Sequence, residues 1–305
     1  MKILFLGAGG VGGYFGGRLM ESGADVSFLV RPGRHAQLVN EGLRIESPHG
    51  NFTLKVNSVT RETVTPIYDI VVMAPKAYDL DDAIVSIRPA AGPKTFILPL
   101  LNGLAHMDTL DDQFGRDRVL AGVAHIAAVM NTEGTIKQLT ELHMLTVGGR
   151  DTETQAVADR FIKLCSAAKF NSRLAPSIEN VLWEKWTFLA TLAGITTLMR
   201  GSVGQIMNAT HGDQLVRTLY SECLAVAAAC GVPVGAPAQS LALDTLTKRN
   251  STFTASMLRD LESGYRTEHD HILGEMLKRA ANHGLATPIL AATYANMQIR
   301  AQLAT

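Results

Sequence analysis

The chain is expected to fold as an α/β domain on a mostly parallel sheet followed by an all-α domain, and three observations carry that expectation. An apolar run, Lys2-Ile3-Leu4-Phe5-Leu6, leads into Gly7-Ala8-Gly9-Gly10-Val11-Gly12 and then a small-residue segment able to continue as a helix. Asp69-Ile70-Val71-Val72-Met73-Ala74 is a continuous apolar run of the kind a parallel sheet buries on both faces. After Pro176 no β-like alternation of any length remains, and the pattern is helical to the end. At 305 residues there is room for two domains, with the boundary expected near 174–177, so that residues 1–175 form the first and 176–305 the second.

The glycine pattern has a physical logic between a strand and a helix. Gly7 permits the tight turn, Gly9 lets the backbone approach a pyrophosphate, and Gly12 lets the helix pack closely on the strand. Gly10 and Val11 belong to the motif that leads into the helical segment of Gly13 to Ser22, whose free N–H groups and positive dipole end would hold the phosphates. Asp25 to Val30 reads as the next strand, which puts the motif in the Rossmann-type, dinucleotide-binding context it needs. Just past such a strand an acid meets a free 2′-hydroxyl and an arginine meets a 2′-phosphate. Arg31 stands there, with Arg34 close behind and no acid between Val26 and Gln37, so NADP(H) is expected rather than NAD(H). The glycines, Arg18 and the lack of a small-x-small cleavage site argue against reading the N-terminus as a signal peptide.

The rest of the first domain follows in order. A helix is expected over Arg34 to Glu41, then a hairpin of Leu43 to Ser47 and Phe52 to Val56 around Pro48-His49-Gly50-Asn51. The buried strand at 69–74 is followed by Pro75-Lys76 and a helix from about Asp79 to Ile87. Thr95 to Leu98 is another strand, ending in Pro99-Leu100-Leu101-Asn102-Gly103-Leu104. Lys76 and Asn102 thus lie just past the carboxyl ends of strands, the edge where an open parallel sheet binds ligands. Val119 to Val129 is β-prone, and Thr135 to Leu139 with His143 to Val147, joined around Glu141, reads as a second hairpin that adds antiparallel strands to the sheet. A helix over Thr152 to Ala168 and a short strand from Phe170 to Leu174 complete the domain.

Composition narrows the function classes. Lysine plus arginine and aspartate plus glutamate balance at 28 each, so no overall field recommends nucleic acid or an anionic membrane as partner. The longest apolar run, Trp186 to Met199, is 14 residues, short of a bilayer core and better suited to a buried helix. Cys165, Cys223 and Cys230 form no C-x-x-C and read as reduced thiols of a cytoplasmic protein.

Two charged residues fall on apolar faces of the helical half. Lys185 lies in the stripe Ile178, Val181, Leu182, Leu189, Leu192, where it either snorkels or serves through its ammonium. A long helix from about Phe253 to Asn282 is expected to carry the stripe Met257, Leu258, Leu261, Tyr265, Ile272, Met276, with Glu268 on it. A carboxylate there needs a cation or a donor as partner. His269 and His271 point to different sides of a helix, so no metal site is expected.

Taken together, the chain resembles the ketopantoate reductases, also called 2-dehydropantoate 2-reductases. The resemblance rests on M-K-I-L-F-L-G-A-G-G-V-G, P-K-A-Y-D, L-N-G, L-W-E-K and, most specifically, S-M-L-R-D-L-E-S-G-Y-R-T-E-H-D. It implies an NADP-binding first domain, a helical second domain, an active site in the cleft between them, and reduction of a 2-keto acid to a 2-hydroxy acid in pantothenate synthesis. By position it implies that Lys185 is catalytic and that Glu268 binds substrate and assists proton transfer. Ser256 would hold the substrate carboxylate, and Asn102 and Lys76 would lie near the nicotinamide, Asn102 also touching substrate. A homodimer is compatible with it. The family pattern also expects asparagines where this chain has Leu189, Ala193 and Val203. A site lined by such residues cannot discriminate for a hydroxyl, which opens the reading to a more apolar 2-keto acid. A β-hydroxyacid or sugar-acid dehydrogenase and a non-catalytic NADP-binding relic or redox-state sensor are the other readings.

Overall fold

The computed structural model describes residues 1–303; Ala304 and Thr305, the end of the expected second domain, lie outside the described residues. The chain divides into two compact units, one of Met1–Leu101 with His106–Ile178, the other of Asn102–Ala105 with the chain from Glu179 onward.

In the first unit, β1 (Lys2–Leu6), α1 (Gly10–Glu21), β2 (Asp25–Leu29) and α2 (Pro32–Glu41) form the opening strand–helix–strand–helix run. The hairpin strands β3 (Leu43–Glu46) and β4 (Phe52–Leu54) are antiparallel as expected. They are followed by β5 (Asn57–Val59), β6 (Ile70–Met73), α3 (Leu80–Ile87), β7 (Phe96–Pro99), α4 (Ala105–Phe114), β8 (Ala121–Met130), β9 (Ile136–Gly148), α5 (Thr152–Cys165) and β10 (Asn171–Leu174). Five of these strands make an all-parallel sheet in the order β5-β2-β1-β6-β7. The chain builds outward from β1 through β2 to β5, then returns to add β6 and β7 on the other flank, so the order reverses at β1.

The antiparallel pairing does not extend this sheet. It forms a second, mixed one in the order β10-β9-β3-β4, with β8 against β9. Helix α1 lies between the two layers. A Cβ on Gly16 would stand 2.7 Å from the Phe28 ring of the parallel sheet, and one on Gly17 would stand 2.8 Å from Ile45 of the mixed sheet. Small residues on both faces let the two sheets close on one core of Phe5, Phe15, Phe28, Ile45, Ile136 and Phe161.

The hairpin expected around Glu141 is a single 13-residue strand, β9. The turn is upstream, at Asn131-Thr132-Glu133-Gly134, where Gly134 takes φ +78 and the Asn131 side chain accepts from Thr135 N at 2.8 Å. The β8–β9 register shifts between Ile126 and Ala128, so residues 139–142 bulge from the ladder. The Gln138 amide donates across the bulge to the Thr140 carbonyl at 2.6 Å and the Leu142 carbonyl at 3.5 Å. The polar break that reads as a turn is this bulge.

The second unit is helical: α6 (Ile178–Met199), α7 (Val203–Asn208), α8 (Gly212–Ala229), α9 (Ala236–Leu246), α10 (Ser256–Glu262), a π-helical turn over Asp270–Gly274 that runs into α11 (Glu275–Asn282), and α12 (Pro288–Leu303). From Ala190 to Thr197 α6 is buried all round. Its buried threonines remain satisfied because they bond back one turn, as Thr191 Oγ1 does to the Thr187 carbonyl at 2.9 Å. The expected continuous helix over 253–282 is not formed. Gly264, at φ +72, ends α10, with Tyr265 N donating to the Asp260 carbonyl at 2.8 Å. Tyr265 is 70% exposed rather than part of an apolar stripe, and the helix restarts only after Glu268.

Candidate active site

In the first unit the carboxyl edge of the parallel sheet collects Gly7 after β1, Arg31 after β2 and Lys76 after β6, beside the order reversal at β1. Gly7 takes φ +86, which only glycine holds without strain. A Cβ on Gly12 would lie 2.8 Å from the Gly7 carbonyl, so this glycine sets the close approach of α1 to the turn. Gly10 packs instead on the Ala128 backbone of β8, where a Cβ would stand 2.5 Å from the carbonyl oxygen. The Cβ direction of Gly9 is open, Gly9 offers no capping side chain, and the first turn of α1, including Val11, carries no acid. An anion with backbone-length reach fits a helix start that is open, uncapped and free of negative charge.

The two arginines have different work. Arg31 is 84% exposed, its guanidinium 3.5 Å from Asp82. Arg34 is committed to the fold: it donates to the Ala8 carbonyl at 3.1 Å, the Gly134 carbonyl at 2.9 Å and Gln37 Oε1 at 2.6 Å. It thereby ties the glycine turn to the β8–β9 turn, and burial pushes its pKa down from the ordinary guanidinium value. Of the two, Arg31 is the one whose guanidinium faces solvent.

In the second unit Lys185 sits on α6, partly buried, with Leu189 one turn on. Burial of the ammonium pulls its pKa from 10.5 down to about 8, against the opposing pull of the Glu268 carboxylate. Glu268 immediately precedes the restarted helix, and the Ile272 N–H donates to its backbone carbonyl at 3.0 Å. Trp186, next to Lys185, donates its indole N–H to the Ile272 carbonyl at 3.0 Å. The lysine helix and the segment bearing Glu268 are therefore joined by a buried hydrogen bond that lies one residue from Lys185 and one helical turn past Glu268. Asn102 belongs to the same unit, its backbone hydrogen-bonded by His271 of the π-helical turn. Lys185, Glu268 and Asn102 are thus brought together in one frame. His271 carries no signal in helical periodicity, and its contact with the Asn102–Gly103 turn is made from the π turn.

Residues 3–151 match the family described as "Ketopantoate reductase PanE/ApbA", and residues 177–301 match its C-terminal part, "Ketopantoate reductase PanE/ApbA C terminal". The chain belongs to the ketopantoate reductase family. Among relatives of this ketopantoate reductase-family chain, "Uncharacterized oxidoreductase YkpB" of Bacillus subtilis is 36% identical over 98% of both chains. A 2-dehydropantoate 2-reductase structure from Geobacter metallireducens superposes with a TM-score of 0.88 at 26% identity, over 98% of this chain and 99% of that one. The ternary structure of a D-mandelate dehydrogenase with NADH and anilino(oxo)acetate has the same fold, with a TM-score of 0.89 at 21% identity over 100% of this chain and 99% of that one. The chain is an oxidoreductase acting on CH–OH groups, and its cofactor is a nicotinamide nucleotide.

The other positions named for the ketopantoate reductase site differ in burial. Ser256 is the exposed first residue of α10. Leu189 is partly buried, while Ala193 and Val203 are 5% and 1% exposed. The thiols of Cys165 and Cys223 are pushed up to about 12 by burial, which keeps them protonated and inert.

Proposed function

We propose that this chain reduces a 2-keto acid to the 2-hydroxy acid with NADPH, with ketopantoate the default substrate and pantothenate synthesis the pathway served. The observation that carries the reading is Lys185, desolvated to a pKa of about 8 and held beside Glu268. When bound, the reduced nicotinamide supplies a hydride to the keto carbon. Lys185 stabilises the oxyanion that forms on the former carbonyl oxygen and gives it a proton from Nζ, becoming a neutral amine that solvent recharges. A pKa of about 8 suits both halves of that task, since the ammonium is charged at neutral pH yet releases its proton readily. Glu268 keeps the ammonium charged between turnovers. Ser256 is assigned the substrate carboxylate, and Asn102 and Lys76 the neighbourhood of the nicotinamide.

The choice of NADPH over NADH rests on Arg31, a guanidinium with solvent-facing donors at the end of β2. On this reading residues 1–175 hold the nucleotide and 176–305 supply the substrate side. The reduced thiols support a cytoplasmic location, and a homodimer is the assembly to look for.

A second substrate reading follows from Leu189, Ala193 and Val203. The first lies partly buried one helical turn after Lys185, and none of the three can pair with a substrate hydroxyl, so a more apolar 2-keto acid would fit as well. The test is NADPH oxidation followed by absorbance with ketopantoate and a panel of apolar 2-keto acids, repeated with NADH. Turnover on ketopantoate supports the default; turnover only on apolar acids makes Leu189, Ala193 and Val203 the selectors. NADPH binding with no turnover on any of them refutes the enzymatic assignment.

A further inference from the structure

We propose that His271 is a positioning residue whose ring N–H holds the Asn102–Gly103 turn against the π-helical turn that follows Glu268. This rests on the reading above, in which Asn102 and Glu268 belong to the site. The geometry comes from three sides. Gly103 takes φ +80, and a Cβ on it would stand 2.8 Å from Cδ2 and 3.0 Å from Nε2 of His271, with the His271 carbonyl at 3.2 Å. The imidazole is therefore packed flush against the turn, and only glycine fits beneath it.

The ring also hydrogen-bonds the Asn102 backbone. That bond favours the protonated ring, so a ring N–H is the donor and the carbonyl accepts. Burial nevertheless pushes the pKa below the ordinary histidine value, despite Glu268, this bond and Glu275. The neutral ring then has one N–H to give, and the carbonyl of the turn receives it.

The backbone behind the ring is fixed independently. His271 lies in the π-helical turn Asp270–Gly274, a geometry that turns side chains out of α-helical register. Outside, Tyr294 Oη donates to Asp270 Oδ1 at 2.8 Å, and a Cβ on Gly274 would meet the Tyr294 ring at 2.9 Å. Inside, Trp186 holds the Ile272 carbonyl. With both neighbours pinned, the imidazole has a fixed origin from which to place the turn, and through it the Asn102 side chain.

The experiment compares His271→Phe, which keeps ring volume without a donor, with His271→Gln, which restores an N–H donor of similar reach. On the keto acid the wild type turns over, His271→Phe should lower kcat at least about tenfold, since small misplacements of a positioning group carry that cost. Its melting temperature and NADPH affinity should stay at wild-type levels, and His271→Gln should recover most of the lost kcat. Wild-type kcat in the Phe variant, or a Gln variant as impaired as the Phe variant, overturns the proposal. Hydrogen exchange at residues 101–106 reads the same question without turnover. Faster exchange in His271→Phe and wild-type exchange in His271→Gln is expected, and equal protection in all three overturns it. An inactive wild type with that exchange pattern would refute the proposed reaction while leaving the positioning role of His271 supported.

Discussion

Lys185→Met should stabilise this protein at neutral pH while destroying its activity. The folded state holds the Lys185 ammonium at a pKa of about 8, against 10.5 for the free side chain. Below pH 8 the lysine is charged in both states, and that difference, at ~1.4 kcal/mol per pH unit, amounts to about 3 kcal/mol by which the charge opposes folding. The figure already contains the attraction to Glu268, which acts to raise the pKa. Methionine keeps an unbranched apolar stem of similar reach and removes the charge. Above the unfolded-state pKa the lysine is neutral in both states and the penalty is gone. The advantage of the variant should therefore be about 3 kcal/mol at pH 7 and shrink to under about 1 kcal/mol at pH 10. Urea denaturation of both proteins at the two pH values measures the double difference, in which the other titrating groups cancel. Equal differences at the two pH values, or a variant less stable than wild type at pH 7, would mean that the ammonium is solvated and that its catalytic assignment has lost its physical basis.

Three further outcomes follow. If the Lys185 ammonium donates the proton, kcat/KM for reduction should fall as pH rises through about 8, and a pH–rate profile flat from 7 to about 9 would remove the lysine as donor. Arg31→Ala should raise KM for NADPH at least about tenfold, ~1.4 kcal/mol, and leave KM for NADH unchanged; parallel changes in both would show that the arginine does not meet a 2′-phosphate. The Glu222 carboxylate on α8 accepts from Ile289 N at 3.1 Å and Leu290 N at 2.8 Å, capping α12 from a buried position. Glu222→Ala should cost about 2 kcal/mol, visible as a melting temperature several degrees lower, with Glu222→Gln losing less.

The parts of the fold that sequence makes legible are those decided locally. The glycine turn, the buried strands around it and the change of character after Pro176 each depend on a few consecutive residues, and each is found where expected. The second sheet was hidden because sheet membership is a tertiary property. Nothing in Leu43–Glu46 says whether it pairs toward β2 or β9, and three-residue β5 is too short for a periodic signal. Helix α4 leaves little periodic signal because the polar Asp108, Asp111 and Asp112 dilute its apolar face of Met107, Leu110 and Phe114.

Glu268 sits in a different setting from the one periodicity implies. Periodicity puts it on an apolar stripe of a continuous helix, but Ser263-Gly264 breaks that helix, and a Ser-Gly pair is itself a turn signal that opposes the spacing. What survives is the premise that a carboxylate among apolar neighbours must answer a cation. Its cation is Lys185, and the break is what permits the pairing. A continuous helix would fix Glu268 by the register of Met257 and Leu258. The interruption frees its position from α10, and the restart through the π turn sets it by contacts to Trp186 and Tyr294 instead. The site's geometry is thus specified by hydrogen bonds between elements far apart in sequence, which is why its residue types are readable in the chain and its frame is not.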